Sequence, residues 1–340
     1  MQTALRCEVT TNTVENIALY GSSEVCKFDT WACSNKCTRL GTAGWCGSYW
    51  ERAERTMKPA PFIYHAPTSV DEAVALLAEW GPQDGRILAG GQSLVPTMAF
   101  RMARPPHLID INGIAEMATL AVRDSVVSIG ACVRHAAFDS DTVPGPTGAL
   151  LRKVVRNIAH YPIRTRGTFC GSVANADPAS EWCCVMAALD GAVVVRSRRG
   201  MRLVQAKEFY QGAMTTALEE DELVITAELL MLPEGTRTCF EEFSRRKGDF
   251  AIAMALVAYR LENGRIVEPL LAIGGVEPYA RRVPKAEHVL RGRAPSADVF
   301  AEAGEAAATA IDPMEDINNT AAYRRGLVRT LVQRALENAE

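Results

Sequence analysis

Long hydrophobic runs are missing from this sequence of 340 residues. The longest, Phe250 to Tyr259, is Ala-rich and reads as a buried element, because a membrane span needs ~20 apolar residues. A surplus of one charge is missing too. Lys and Arg total 37 against 40 Asp and Glu, a formal charge of −3, so nothing global suggests a polyanion binder. There is no G-x-G-x-x-G after a strand and no G-x-x-x-x-G-K-[ST], which leaves Rossmann and P-loop sites unsupported. Gly91-Gln-Ser93-Leu-Val lacks the last glycine of a nucleophile elbow. The five histidines, at 65, 107, 135, 160 and 288, form no HExxH pair, and His65 and His107 read as surface or cap residues. Arg196, Arg198 and Arg199, like Arg245, Arg246 and Lys247, read as solvated strand ends. What is present is ordinary: 48% apolar and 23% charged residues, the balance of a soluble globular chain. At ~150 residues per domain the length suggests two or three domains.

Proline is absent from residues 1–56; the first of 17 is Pro59. The same stretch holds Cys7, Cys26, Cys33, Cys37 and Cys46, half of the ten cysteines, and Trp31, Trp45 and Trp50. The cysteine spacing fits neither a C-x4-C-x2-C iron–sulfur loop nor paired CxxC zinc ligands. A metal site and a disulfide-stapled module remain open. The favoured reading is an atypical leader outside the fold, with Met57 beginning the functional protein.

From Pro61 the pattern becomes orderly. Phe62 to Tyr64 reads as a strand and Ser69-Val-Asp-Glu72 as a capping box. Val70, Ala73, Val74, Leu77 and Trp80 recur at helical spacing. A strand at 86–89, a helix at 94–102 and a strand at 107–111 complete a β-α-β-α-β unit over 57–112. A second part, 113–232, carries a hairpin around Arg123-Asp-Ser125, helices near 150–158 and 181–189, and strands at 192–195 and 223–232. A third, 233–340, carries a strand at 240–244, a hairpin around Glu262-Asn-Gly264 and helices at 285–290, 297–310 and 320–337. The class is α+β. The cysteines of the body, at 132, 170, 183, 184 and 239, read as reduced core residues, consistent with a cytoplasmic protein.

Two small-residue loops stand out. Leu88-Ala-Gly-Gly-Gln-Ser-Leu94 leaves a strand and enters a helix. Glycines there permit positive φ, and successive N–H groups at a helix start can cradle an anion. Thr168-Phe-Cys-Gly-Ser172, leading into Asn175 and Asp177, again offers a hydroxyl and exposed N–H groups. Either loop alone reads equally as a plain tight turn. Two on neighbouring subdomains suit a pyrophosphate bridging two nucleotide halves.

With these loops, the sequence from Met57 onward resembles the FAD-binding medium subunit of molybdenum hydroxylases, the carbon monoxide dehydrogenase and xanthine dehydrogenase group. The further markers are Phe62-x-Tyr64-x-x-Pro67, Ala176-Asp-Pro-Ala179, Arg245-Arg-Lys-Gly-Asp-Phe-Ala251 and Tyr323-Arg-Arg325. The resemblance implies a two-subdomain FAD-binding domain of the vanillyl-alcohol-oxidase type, also called PCMH type, followed by a C-terminal α/β domain. It implies that Leu88, Ala89, Gly90, Gly91, Gln92, Ser93 and Leu94 hold the FAD pyrophosphate. Thr168, Phe169, Cys170, Gly171 and Ser172 would form the second cradle, with Asn175, Asp177 and Glu181 beside it. Val224 would pack on the flavin ring. Phe250 would either cover that ring or be a core aromatic.

One departure sets a test. Where the family reads Thr-x-Gly-Gly-Ser, Cys170 replaces the first glycine. If that position needs positive φ, a β-carbon costs about 1–2 kcal/mol and crowds the diphosphate. The resemblance further implies an electron-transfer subunit with no catalytic residue or metal of its own. Its partners would be a molybdopterin-binding large subunit and a 2Fe–2S small subunit, in a dimer of heterotrimers. The electron acceptor would be NAD, a quinone or another carrier, and the location cytoplasmic, with the inner face of the membrane as the second option. A stand-alone flavin oxidoreductase and a flavin-free scaffold are the alternatives.

Overall fold

The computed structural model describes residues 58–340. The expectations for the leader and its five cysteines therefore lie outside the described residues.

The first layer is a small parallel sheet. Strands β1 (Ile63–His65) and β2 (Arg86–Leu88) flank β3 (His107–Asp110), giving the order β1-β3-β2. Helix α1 (Val70–Trp80) connects the first two strands and α2 (Leu94–Ala99) follows the second. Ser69 caps α1 by accepting from the Glu72 N–H at 3.2 Å. The Glu72 carboxylate reaches back one residue further than in the usual box, to the N–H of Thr68 at 2.8 Å. His65 and His107 do not behave as isolated surface residues. Their rings meet at 2.9 Å, and Trp80 stacks on His107, which is buried.

The second layer is a five-stranded antiparallel sheet. It contains β4 (Leu120–Arg123) and β5 (Val126–Gly130), then β6 (Ala192–Ser197) and β7 (Gly200–Gln205). The hairpin turn at Asp124-Ser125 takes positive φ at both residues, as the sharp two-residue turn requires. Between the two hairpins lie α3 (Gly145–Val155), α4 (Tyr161–Arg164), α5 (Phe169–Asn175) and α6 (Glu181–Ala188). After α7 (Ala206–Phe209) and the minor pair β8 (Tyr210–Gly212) and β9 (Thr215–Thr216), β10 (Leu223–Leu230) enters the middle. The order is β4-β5-β10-β6-β7.

The third layer is antiparallel, β11 (Arg237–Phe243), β12 (Ala253–Glu262), β13 (Arg265–Gly274) and β14 (Arg281–Arg282), in sequence order. Helices α8 (Pro284–Leu290), α9 (Ala297–Ala310) and α10 (Ala321–Glu337) cover one face. Strand β12 explains the longest apolar run. Met254, Leu256 and Ala258 point into the core shared with α6, while Ala253, Ala255, Val257 and Tyr259 point to the helices. A strand buried on both faces loses the polar half of its alternation. Helix α6 is likewise enclosed, with Trp182, Cys183, Cys184, Val185 and Met186 all buried. The cysteines at 132, 170, 183, 184 and 239 are buried and unbridged. No helix among the described residues is long and apolar enough to cross a membrane.

Candidate functional site

The two glycine loops meet. Chain leaving β2 at Leu88 turns through Gly91, at φ +70, and enters α2. Gln92 Nε2 donates back to the Gly90 carbonyl at 3.0 Å and closes the turn. A β-carbon on Gly90 would lie 2.5 Å from the Arg166 carbonyl oxygen and from Gly167 Cα. Glycine is thus required there because the second loop's backbone passes directly over it.

The second loop is built as a helix start. Thr168 caps α5, its Oγ1 accepting from the Gly171 N–H at 3.1 Å. A β-carbon on Gly171 would come within 2.6 Å of that oxygen. The Ser172 and Ser180 hydroxyls share a hydrogen bond of 2.8 Å. Asp177 Oδ1 accepts from the Ala179 N–H at 2.9 Å, and this turn leads into Ser180, the cap of α6.

A polar truss ties the loops together. Asn112 Nδ2 donates to the Ala89 carbonyl at 2.7 Å. Arg134 donates to Asn112 Oδ1 at 2.5 Å and also to the Arg166 carbonyl. Asp110 accepts from the Asn112 N–H at 2.9 Å and from the Tyr64 hydroxyl at 2.6 Å. Asn112 and Arg134 were not marked by sequence pattern. They lie outside both loops in sequence and reach them only through the fold.

Both loops open on one cavity of about 980 Å³. All seven residues from Leu88 to Leu94 line it, with Thr168, Gly171, Ser172, Asn175, Asp177, Glu181 and Phe250. Phe250 is 76% exposed at the cavity edge, so the core-aromatic alternative falls. The side chains of Phe169, Cys170 and Val224 do not join the cavity. All three are buried in the core.

Cys170 corrects the expectation of strain. It has no positive φ, being the second residue of α5. Its thiol points away from the cradle and contacts the Ile129 carbonyl at 3.3 Å, and burial pushes it up to about 12. No β-carbon crowds a ligand there.

The C-terminal part supplies the far wall, which sequence reading had touched only through Phe250. Arg324, buried at 6% exposure, donates to the carbonyls of Ile252 at 2.9 Å and of Gly275, and pairs with Asp316 at 2.5 Å. Arg324, Asp316 and Asn319 line the cavity, as does His135. Glu181 is enclosed, and burial, reinforced by the charge of Asp177, raises its carboxyl to about 7. Glu242, behind it on β11, is raised to about 8 by burial and by Glu181.

Two glycine loops from neighbouring α+β subdomains that line one cavity have the form of a dinucleotide-binding protein. Comparison with known proteins sharpens that class. Residues 57–229 match the FAD-binding domain in molybdopterin dehydrogenase, and residues 238–339 match the CO dehydrogenase flavoprotein C-terminal domain. The chain is 37% identical over 284 residues to the 6-hydroxypseudooxynicotine dehydrogenase complex subunit alpha of Paenarthrobacter nicotinovorans, covering 83% of this chain and 96% of that protein. A carbon monoxide dehydrogenase chain from Hydrogenophaga pseudoflava superposes with a TM-score of 0.79 at 36% identity, covering 83% of this chain and 98% of that one. Quinoline 2-oxidoreductase from Pseudomonas putida 86 gives 0.78 at 34%, with the same coverage. The chain belongs to the FAD-binding medium subunits of molybdenum hydroxylases. Its cofactor is FAD, and the cavity fits one: both loops line it, and the absence of side chains at Gly90, Gly91 and Gly171 lets a ligand approach their backbone.

Proposed function

We propose that this chain relays electrons through FAD, from 2Fe–2S clusters on a small partner subunit to an external acceptor. Molybdopterin on a large partner subunit would carry the hydroxylation itself. The observation that carries the reading is the convergence of both glycine loops and Phe250 on one cavity. FAD, when bound, supplies one-electron and two-electron transfer. The residues of this chain bind, orient and shield. The N–H groups of Gly90 to Ser93 hold the diphosphate on one side and Gly171 and Ser172 line the other, where Thr168 caps α5 by accepting from the Gly171 N–H. Asn175, Asp177 and Glu181 line the adjoining stretch, and Phe250 covers one side of the ring.

NAD, a quinone or another carrier serves as acceptor, and the complex is a cytoplasmic dimer of heterotrimers. The substrate is set by the large subunit. Support comes from relatives that work as members of dehydrogenase complexes, as the name of the 6-hydroxypseudooxynicotine enzyme states.

The first test is purification of the full chain, a visible spectrum, and chromatography of the released cofactor. Near-equal FAD is expected. Mixing with the reduced 2Fe–2S subunit should then bleach the flavin absorbance. A flavin reduced by a small substrate without partners would establish the stand-alone oxidoreductase instead. A folded, colourless chain that takes up no added FAD would establish the scaffold.

A further inference from the structure

His135 stands on the cavity wall at 6% exposure, and its two ring nitrogens have unlike surroundings. Nδ1 accepts a hydrogen bond from Trp182 Nε1 at 2.8 Å. An indole N–H is a donor only, so Nδ1 carries no proton and the neutral ring carries its proton on Nε2. Nε2 has no partner among the described residues and is not sealed from the cavity. It lies beside Gly167, where a β-carbon would come within 2.6 Å of it.

The surroundings hold this arrangement rigid. The His135 N–H donates to the Gly167 carbonyl at 2.9 Å, and Phe169 donates to the Val133 carbonyl at 3.0 Å, so residues 133–135 back the second loop directly. Trp182 is fully buried between Phe138 and Phe169, with ring centroids 5.1 and 4.8 Å away. The indole donor therefore cannot swing off Nδ1 without opening the core.

We propose that His135 is a ligand-binding residue of this cavity, a permanently neutral Nε2–H donor to a phosphoryl oxygen of the bound dinucleotide. This rests on the flavin reading above. The alternative behaviour would be that of an ordinary histidine, which gains a second proton when an anion arrives. Here that proton would have to go to Nδ1, against the indole N–H. The charged groups acting on the ring, Arg134 and Arg164, oppose it too, and burial does so most, bringing the ring down to about 4. Trp182, Phe138 and Phe169 contribute no charge. The donor thus keeps one strength across the range in which free histidines titrate.

The test is ¹⁵N NMR of the histidine-labelled full chain. Without ligand, His135 should show the neutral Nε2–H pattern from pH 5 to 8. Saturating FAD should move the Nε2 resonance and leave Nδ1 unprotonated. His135→Leu should weaken FAD binding about tenfold or more, and His135→Gln, which keeps an N–H donor, by less. Trp182→Phe should release Nδ1 from the indole and let the Nδ1–H tautomer appear, weakening FAD binding at every pH while burial and the two arginines keep the ring neutral. In the wild type, an Nδ1–H tautomer, a titration near 6.5, or an Nε2 resonance that ignores bound FAD would each overturn the proposal. If FAD fails to bind at any pH, the flavin reading falls. Inorganic pyrophosphate titrated in its place then decides on His135, by a shifted or an unmoved Nε2 resonance.

Discussion

Arg134 serves two acceptors that belong to different parts of the chain, Asn112 Oδ1 beneath the first loop and the Arg166 carbonyl at the entry to the second. That guanidinium joins the packing of Gly90 on the Arg166–Gly167 backbone in setting the spacing of the two cradles. Hydrogen bonds to a charged group are worth about 1.5–3 kcal/mol. Arg134→Ala should raise the Kd for FAD by roughly tenfold or more, read by quenching of flavin fluorescence. An unchanged Kd would show that the loops hold their spacing without the truss. Cys170 and Gly91 make the opposite pair. Cys170 is helical, with its thiol in the core, so Cys170→Gly should leave FAD affinity where it is. It should cost about 1 kcal/mol of stability from helix propensity alone, with the lost packing added. Gly91 sits at φ +70 with Val95 and Leu88 only 3.1 and 3.2 Å from a built β-carbon. Gly91→Ala should weaken FAD binding and lower Tm together. Tighter FAD binding by Cys170→Gly would mean that the family's glycine is needed after all.

Helix α6 and strand β11 bring Glu181 and Glu242 together in a poorly hydrated place, and β11 leaves Glu242 Oε2 with no partner. Both carboxyls are raised, to about 7 and about 8, so the folded state binds more protons than the unfolded one from about pH 4.5 upward. Their contribution to stability is complete below the unfolded value and is lost as pH climbs toward 8. His135, lowered to about 4, acts in the other direction: its contribution is complete above about 6.5 and is lost as pH falls toward 4. Denaturant midpoints should therefore decline on both sides of a mildly acidic optimum. Glu242→Gln should flatten the alkaline arm and leave the acid arm standing. An unaltered alkaline arm would sever Glu242 from the effect. The same elements show what the sequence made legible. The two loops, the capping box, the Asn263-Gly264 turn and the C-terminal helices are specified by neighbours in the chain, and local pattern revealed them. Helix α5 reads as a loop from sequence alone because it is one short stretch around Gly171, held by Thr168 and by packing of Phe169 and Val173. Strand β7 escaped because its outer residues, Met201 and Leu203, are exposed at a sheet edge and carry no clean alternation. His135, Asn112 and Arg134 carry no local signal, since His135 meets the cavity, and Asn112 and Arg134 meet the two loops, only through parts of the chain distant in sequence.

The cavity is finished by the C-terminal part, and one buried cation governs that closure. Arg324, on α10, holds the Ile252 carbonyl just after Phe250, the Gly275 carbonyl at the end of β13, and Asp316 in the segment before α10. Gly275 in turn donates to the Pro178 carbonyl at 2.8 Å, beside Asp177 of the second cradle region. Ile252 beside Phe250, the far wall and Pro178 beside Asp177 thus share one chain of hydrogen bonds. Removing the guanidinium takes a charged donor from the carbonyls of Ile252 and Gly275. Arg324→Gln should lower Tm for that reason alone, so stability by itself does not separate a structural strut from a part of the site. Ligand linkage does. FAD stabilises the folded chain by RT ln(1 + [FAD]/Kd), about 2.7 kcal/mol at a hundredfold excess over Kd. If Arg324 holds Phe250 and its wall over the flavin, the rise in Tm on adding FAD should shrink in Arg324→Gln compared with wild type. Flavin fluorescence should also be less quenched at saturation. Arg324→Lys keeps the charge but not the forked geometry that reaches three acceptors, so it should recover part of the Tm and little of the FAD increment. An FAD increment equal to wild type in both variants would place Arg324 in the scaffold only.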